Sequence, residues 1–319
     1  MPRSVLVSLA LTAALVLAAC GSSRAGADAP ASRPTRHPSP HPTHATHRPA
    51  RHPADGARHL AKHVTKVLVV IEENHSLAEM RSGMPFLARL SREYGYATDW
   101  HALRHPSEPN YLGIAGGSTF GVSNDHPPAK NAARVGTARS VFAQAAAAGK
   151  RAATYAQSMP RRCDTADAYP YAVRHNPWTF FSADRAACRR HDRSTAGFAR
   201  AARKDRLPNV GFLIPDMRHD AHDGTLGAAD AWLHASLKPV LASHDFSSGS
   251  LVVVVTADED DRKSGNVVLT SVLTPRLHHA VVGQRLTHYS LTGFIARVLG
   301  VSALRSGAHA PDLAAAFGL

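Results

Sequence analysis

The sequence predicts an α/β fold, a mixed and mostly parallel sheet sandwiched between helices in a single domain. Three runs, Val67–Ile71, Val210–Ile214 and Leu251–Thr256, are aliphatic without alternation. That is the pattern of strands covered on both faces. Segments of helical spacing separate them, and strands that alternate with helices build parallel sheets. The chain has 319 residues, enough for one large α/β domain behind a non-globular start. It contains no internal repeat.

Residues 1–19 read as an export signal. Arg3 supplies a positive start, Val5–Leu17 is apolar, and small residues follow, a pattern too short for a membrane span. Cys20 directly follows Leu17-Ala18-Ala19. This resembles a bacterial lipobox, in which Cys20 becomes the lipidated first residue; the alternative is a plain secretory signal with an incidental cysteine. Residues 20–64 are rich in Pro, His and Arg, cannot bury enough apolar surface to fold, and read as a stiff tether. Residues 21–66 hold eight Lys/Arg against two Asp/Glu, a net +6 of the formal +13. That charge would hold the tether near anionic head groups or wall polymers. The remaining domain, 65–319, is only mildly basic, which argues against a nucleic-acid partner. The expected protein is an exported monomer, attached by a lipid anchor to the outer face of the cell membrane or held in the envelope.

Within the domain, Val67–Ile71 opens as a strand. Pro85–Tyr94 has helical spacing, Asn110–Ala115 opens a second helix and Val141–Ala148 is a third. A strand follows near Ala152–Tyr155, and Val210–Ile214 is a buried one. Leu226–Leu241 places Ala229, Trp232, Leu233 and Leu237 on one helix face. Leu251–Thr256 is the strongest strand signal, Asn266–Leu273 reads as another, and Tyr289–Leu299 is the closing helix. In an exported chain, the even pair Cys163 and Cys188 invites a disulfide; two free thiols are the alternative.

Ligands of such a sheet bind at the carboxyl ends of its strands. Here those ends are unusually polar. The first strand runs into Glu73, Asn74 and His75. The Val210–Ile214 strand runs into "PDMRHDAHDG", which offers Asp216, His219, Asp220, His222 and Asp223. The Leu251–Thr256 strand runs into Asp258–Asp261, and His288 starts the last helix. Carboxylates brought together repel unless a cation neutralises them. A divalent ion bound by O and N ligands satisfies all three strand ends; separate caps and turns are the alternative. Ser107, just ahead of a helix beginning near Pro109, is either that helix's N-cap or a nucleophile activated by the helix dipole and a metal.

The segments "VVIEENHS", "HPSEPNYLGIAGGST", "RHNPW", "DAHDG", "VVVVTADEDD" and "THYSL" occur in this order between about Lys66 and Gly300. Together they resemble the bacterial phosphoesterase family of secreted acid phosphatases and phospholipase C-type enzymes, within the alkaline-phosphatase-like superfamily. The short acid-phosphatase branch is the most similar. The resemblance implies a mostly parallel sheet between helical layers and one or two divalent metal ions. It implies Ser107 as nucleophile, preceded by His105, with Glu73, Asn74, Asp258 and Glu259 holding the metal. Asp220, His222 and His288 would face the other side of the phosphate, where they hold a second metal or donate protons. Asn124 or its neighbour Asp125, together with His175 and Asn176, would contact substrate.

The expected reaction is metal-dependent hydrolysis of phosphate monoesters, of small molecules or phospholipids, through a phosphoserine. One alternative is a phospholipase C-type phosphodiesterase, which the chain's end at Leu319, soon after the last helix, disfavours. The other is a non-catalytic metal- or phosphate-binding surface lipoprotein.

Overall fold

A computed structural model describes residues 64–319 of the chain. The export signal, Cys20 and nearly all of the tether lie outside the described residues. Ten strands are present among them: β1 (Lys66–Glu72), β2 (Gly95–Ala97), β3 (Trp100–His101), β4 (Ala152–Ala156), β5 (Asp192–Arg193), β6 (Val210–Ile214), β7 (Leu251–Ala257), β8 (Thr270–Leu273), β9 (Ala280–Val282) and β10 (Leu286–Thr287). Six helices precede β5: α1 (Leu77–Gly83), α2 (Pro85–Glu93), α3 (Glu108–Gly116), α4 (Pro128–Val135), α5 (Val141–Ala147) and α6 (Arg185–His191). Five follow it: α7 (Phe198–Arg203), α8 (Leu226–Leu241), α9 (His244–Ser247), α10 (His288–Leu299) and α11 (Leu313–Phe317).

The main sheet has eight strands in the order β5–β4–β6–β1–β7–β8–β2–β9, and β10 pairs with β3 in a small separate ladder. β5, β4, β6, β1 and β7 are mutually parallel, whereas β8 runs antiparallel to both β7 and β2. The expected mixed, mostly parallel sheet is therefore what the chain forms. β1 lies inside it, and its residues Val67 to Ile71 are at most 1% exposed. Each such buried aliphatic side chain contributes about 1.5–3 kcal/mol. Helices cover both faces, which is why the strands read as continuous apolar runs.

The parallel register from Lys66↔Leu251 to Glu72↔Ala257 fixes the site. It ends with the Asp258 amide donating to the Glu72 carbonyl at 2.9 Å. Glu73 and Asp258, one residue beyond each strand, are thus neighbours at the carboxyl edge. Directly after them, Ser76 and Glu79 form a capping box that starts α1. The bend before it is made at Asn74, whose φ of 51° is left-handed, a conformation Asn tolerates better than most residues.

Two boundaries differ from the sequence reading. The helix expected near Pro109 starts at Glu108. The strand expected over 266–273 is confined to Thr270–Leu273, because Asn266 has φ 61° and serves a loop instead. Its amide donates to Asp260 Oδ2 and its Oδ1 accepts from the Asp260 amide, each at 2.9 Å. The strands β2, β3, β5, β9 and β10, of two or three residues each and too short to show a period, were not anticipated. No helix among the described residues is long and apolar enough to cross a membrane.

Cys163 and Cys188 form a disulfide, with Cα atoms 5.4 Å apart. Closing this loop stabilises by about 3 kcal/mol in the chain-entropy account. Asp192 lies beside it, fully buried, and accepts from Asn176 Nδ2 at 2.8 Å. These two cysteines and Asp192 are close enough to suggest a metal cluster, but the disulfide removes both thiolates.

Burial pushes the Asp192 carboxyl up to about 8, far above its ordinary value in an unfolded chain. Its contribution to stability is complete below the unfolded pKa and is lost as pH rises toward 8. Urea unfolding should show the protein losing stability between pH 5 and pH 8, and Asp192→Asn should flatten that slope.

Candidate active site

Glu73 is the hub of the carboxyl edge. It is fully buried. Its Oε2 accepts from Ser107 Oγ at 3.2 Å and its Oε1 from the Tyr111 hydroxyl at 3.2 Å. His175 Nε2 lies 2.9 Å from Oε1, at ion-pair distance though off the line of a hydrogen bond. The other ring nitrogen of His175 is 3.3 Å from Asp220 Oδ2. The imidazole is 1% exposed and stacks on Tyr111, with ring centroids 5.2 Å apart. Burial alone would lower the His175 pKa, but Glu73 and Asp220 outweigh it and raise it to about 9. Burial likewise works to raise Glu73. The positive charge of His175, helped by Arg174 and His222, instead holds it down at about 2. The site is therefore built around a charged Glu73 locked to a charged His175.

Ser107 occupies the N-cap position of α3 but does not act as a cap. Its backbone is already helical, at φ −55° and ψ −53°, and its side chain makes no cap hydrogen bond. Asp125 does that work, its Oδ1 accepting from the Glu108 amide at 2.9 Å. The serine hydroxyl is left to face Glu73. Asn110 secures the approach: its Oδ1 accepts from the Leu103 amide at 2.8 Å, and its Nδ2 donates to the Arg104 carbonyl at 2.6 Å and to Glu259 Oε2 at 3.2 Å.

Asp258 and Glu259 close the site. Asp258 Oδ1 accepts from the Glu259 amide at 2.7 Å and the Asn74 amide at 3.3 Å. Its Oδ2 is buried with no partner. Burial, then repulsion from Glu73 and Glu259, raises the Asp258 carboxyl well above the usual range. Burial, then Glu73 and Asp125, pushes Glu259 up to about 8. Two carboxyls that resist ionisation, an orphaned carboxylate oxygen and an oxygen-rich surround fit a hard divalent cation. Glu73, Asn74, Asp258 and Glu259 are the residues that would hold it.

The cleft over these groups has a volume of about 320 Å³ and is lined by Asn74, Ser107, Asp125, His222, Glu259 and Arg262, among others. His222 enters it from the loop after β6, whose closure depends on Gly224. A Cβ there would lie 2.1 Å from the Arg218 carbonyl oxygen. A guanidinium only donates. Arg174, 3.4 Å from His222 Nε2, therefore leaves that nitrogen the acceptor, and Nδ1–H points to Asp223 Oδ1 at 2.8 Å.

Six expected site residues have different roles. Asp220, expected as a metal ligand, is buried beside His175, and its Oδ1 accepts from the His222 amide at 2.8 Å. His288 is fully buried, accepting from Trp100 Nε1 at 3.1 Å and donating to the Asp258 carbonyl at 2.6 Å. Both nitrogens are spent, so it positions Asp258 and is available neither to a second ion nor as a proton donor; burial holds its pKa down to about 4. Asn176 faces Asp192 and the Tyr171 hydroxyl instead of substrate. His175 is closed off beneath Glu73. Asn124 accepts from the His126 amide and Asn131 Nδ2, while its neighbour Asp125 lines the cleft. His105 sits between Glu259 Oε1 at 3.0 Å and Asp260 Oδ1 at 3.1 Å, bracing the acidic pair.

The sequence reading missed Tyr111 and Arg174. Tyr111 is four residues after Ser107, hence on the same face of α3, and that spacing could have found it. Arg174 stands directly before His175, where only the fold shows that its side chain reaches His222 and, at 3.9 Å, Asp125.

A family model described as the Phosphoesterase family matches residues 80–300. The chain belongs to the phosphoesterase family. It is a phosphoric-ester hydrolase with an alkaline-phosphatase-like fold. This phosphoesterase is 29% identical over 250 residues to a phosphatidylinositol-3-phosphatase of Mycobacterium tuberculosis, covering 77% of this chain and 81% of the relative. It is 28% identical to a phosphate-repressible acid phosphatase of Penicillium chrysogenum, covering 68% of this chain but 55% of that longer protein. Among solved structures, an alkaline phosphatase superfamily protein of Vibrio parahaemolyticus superimposes with a TM-score of 0.54 at 12% identity, covering 76% of this chain and 69% of that one. The lipoteichoic acid synthase LtaP of Listeria monocytogenes gives 0.53 at 8% identity, covering 76% of this chain and 73% of that one. At such identities these two likenesses speak for the fold alone.

Removing one partner of a buried ion pair strands the other charge, at a cost of about 3–5 kcal/mol. His175→Ala should lower the unfolding free energy of the phosphoesterase by that amount in denaturant titrations, although His175 lines no part of the cleft.

Proposed function

We propose that the protein hydrolyses phosphate monoesters through a phosphoserine formed on Ser107, and that it does so at the cell surface. The observation that carries this reading is the Ser107 hydroxyl. It is excused from capping α3 and aimed at a charged Glu73, at 3.2 Å, beside an open cleft.

A divalent cation held by Glu73, Asn74, Asp258 and Glu259 would lower the pKa of the serine hydroxyl and offset the charge of the phosphoryl oxygens. The chain's own groups do the rest. Glu73 orients Ser107 Oγ and takes its proton as Oγ attacks phosphorus. The bond to the leaving oxygen breaks, and the leaving alkoxide takes a proton from solvent in the open cleft. Water then displaces Ser107 from phosphorus; His222 Nε2, the acceptor, takes one proton of that water and passes it to solvent, and Glu73 gives the serine proton back. Arg174, beside His222, adds positive charge where the phosphoryl oxygens gather. His175 keeps Glu73 ionised up to the attack, so that it is free to take the proton, and His288 and Trp100 hold the Asp258 backbone in place.

The names of the relatives support phosphomonoester substrates, one of them a phosphorylated lipid and the others unspecified. We take the substrate to be a phosphorylated small molecule or a phospholipid headgroup. The lipobox-like segment ending at Cys20 supports a lipid anchor, and the catalytic domain is taken to be a monomer.

Ser107→Ala should lower release of phosphate from an aryl phosphate by about 10³-fold or more while leaving the circular dichroism spectrum unchanged. Full turnover in that variant would remove the nucleophile. Dialysis against a chelator should abolish activity, and a divalent cation should restore it. A choline phosphodiester should be cleaved far more slowly than the monoester; the reverse preference would favour a phospholipase C-type reaction.

A further inference from the structure

A second concave site lies at the other end of the sheet. It consists of two adjoining cavities that share Arg151, Tyr155, Arg193 and Arg206. The smaller, about 200 Å³, is walled by Phe142, Tyr155, Trp178, Ala146, Ala187 and Pro208. The larger, about 490 Å³, adds Arg200 and Lys204. Arg151 stands just before β4 and Arg206 shortly before β6, at the amino ends of strands whose carboxyl ends form the catalytic edge. None of the residues lining the catalytic cleft lines either cavity.

The chemistry of this site is one-sided. No carboxylate lines either cavity, and among the described residues none pairs with Arg151, Arg193, Arg200, Lys204 or Arg206. Lys150, at the rim of the smaller cavity, is already engaged by the Val298 and Leu299 carbonyls. Asp192, next in the chain to Arg193, is buried and lines neither cavity. A second observation is independent of charge. Trp178 is 1% exposed, and its indole Nε1–H has no acceptor, although buried donors are nearly always paired. The site thus combines an apolar chamber with an unused donor and a mouth of unpaired cations.

We propose that these cavities bind a phosphate that carries an apolar chain, the chain entering between Phe142, Tyr155 and Trp178 and the phosphate lying among Arg151, Arg193 and Arg206. A free polyanion would leave the aromatic chamber unfilled, and a neutral lipid would leave the guanidinium groups without an anion, since among the described residues those of Arg151 and Arg193 reach only the Leu207 carbonyl, His191 and the Tyr155 ring. The chain's ester oxygens are the kind of acceptor that Trp178 Nε1 lacks. The site is separate from catalysis, so its ligand need not be a substrate; it would hold the enzyme to a surface or a carrier that displays such phosphates.

The test uses the full chain with inorganic phosphate present at a level that saturates the catalytic cleft. Dihexanoyl phosphatidylglycerol, below its micelle concentration, is titrated by calorimetry. We expect saturable binding with one ligand per chain. Arg151→Gln combined with Arg206→Gln should weaken it by about tenfold, the effect of losing a charge-assisted hydrogen bond. Ala146→Trp, a substitution on an exposed helix position that plugs the chamber, should weaken it at least as much. Ala187→Phe serves the same purpose should Ala146→Trp not fold. All variants should hydrolyse a soluble aryl phosphate at the unaltered rate. Absence of binding would overturn the proposal. So would binding that survives both plugging variants, including the case in which only the arginine variant loses affinity, since that is diffuse charge attraction. Sedimentation with phosphatidylglycerol vesicles, compared with phosphatidylcholine vesicles, distinguishes the sources. Plug-sensitive sedimentation identifies a bilayer lipid, and soluble binding without sedimentation identifies a free or carrier-held amphiphile; both retain the site.

Discussion

The register of β1 against β7 is the constraint on which the rest of this site depends. Seven paired residues run in parallel and stop together, which sets Glu73 and Asp258 side by side in the dry end of the sheet. Two buried carboxylates at that spacing cannot both carry charge without help. A shift of one residue would turn every side chain of β1 to the opposite face and separate the pair. The local chemistry is a response to this enforced proximity. His175 supplies a positive charge from beneath and fixes Glu73 as the ionised member, while Asp258 and Glu259 are left resisting ionisation and Asp258 Oδ2 has no partner.

The site therefore has two layers with separate duties. Beneath, His175, Tyr111, Asp220 and His288 are closed to solvent and adjust charge and position. Above, Ser107, Asn74, Asp125, His222 and Arg262 line the cleft. Capping links the two. Asp125 takes the Glu108 amide that Ser107 would otherwise bind, and this releases the serine hydroxyl to the buried Glu73. A helix start that would ordinarily consume its serine instead presents it.

What the sequence made readable, and what it did not, follows from the range of each signal. β1, β6 and β7 were visible because burial on both faces removes polar residues from a strand, and that is a local property. Glu73, Asp258 and Glu259 were visible because they directly follow such strands. The orientation of a side chain at a helix start is not local. His288 was expected to face the phosphate, yet its ring is turned away by Trp100, which belongs to a two-residue strand with no periodicity to read. Asn176 was expected beside its neighbour His175, but a 3₁₀ turn sends the two side chains to different partners, Asp192 and Glu73. Arg174 went unassigned for the same reason, since its partners lie in distant loops.

The central claim is that Ser107, freed from capping and directed by a charged Glu73, carries the phosphoryl group. Mass spectrometry of peptides from enzyme quenched in acid during turnover tests it most directly. The account predicts a phosphoryl group on the peptide containing Ser107, on that serine alone, appearing and decaying with substrate. Turnover with no labelled serine, accompanied by inversion at a chiral phosphate, would mean that water attacks phosphorus directly and would contradict the account.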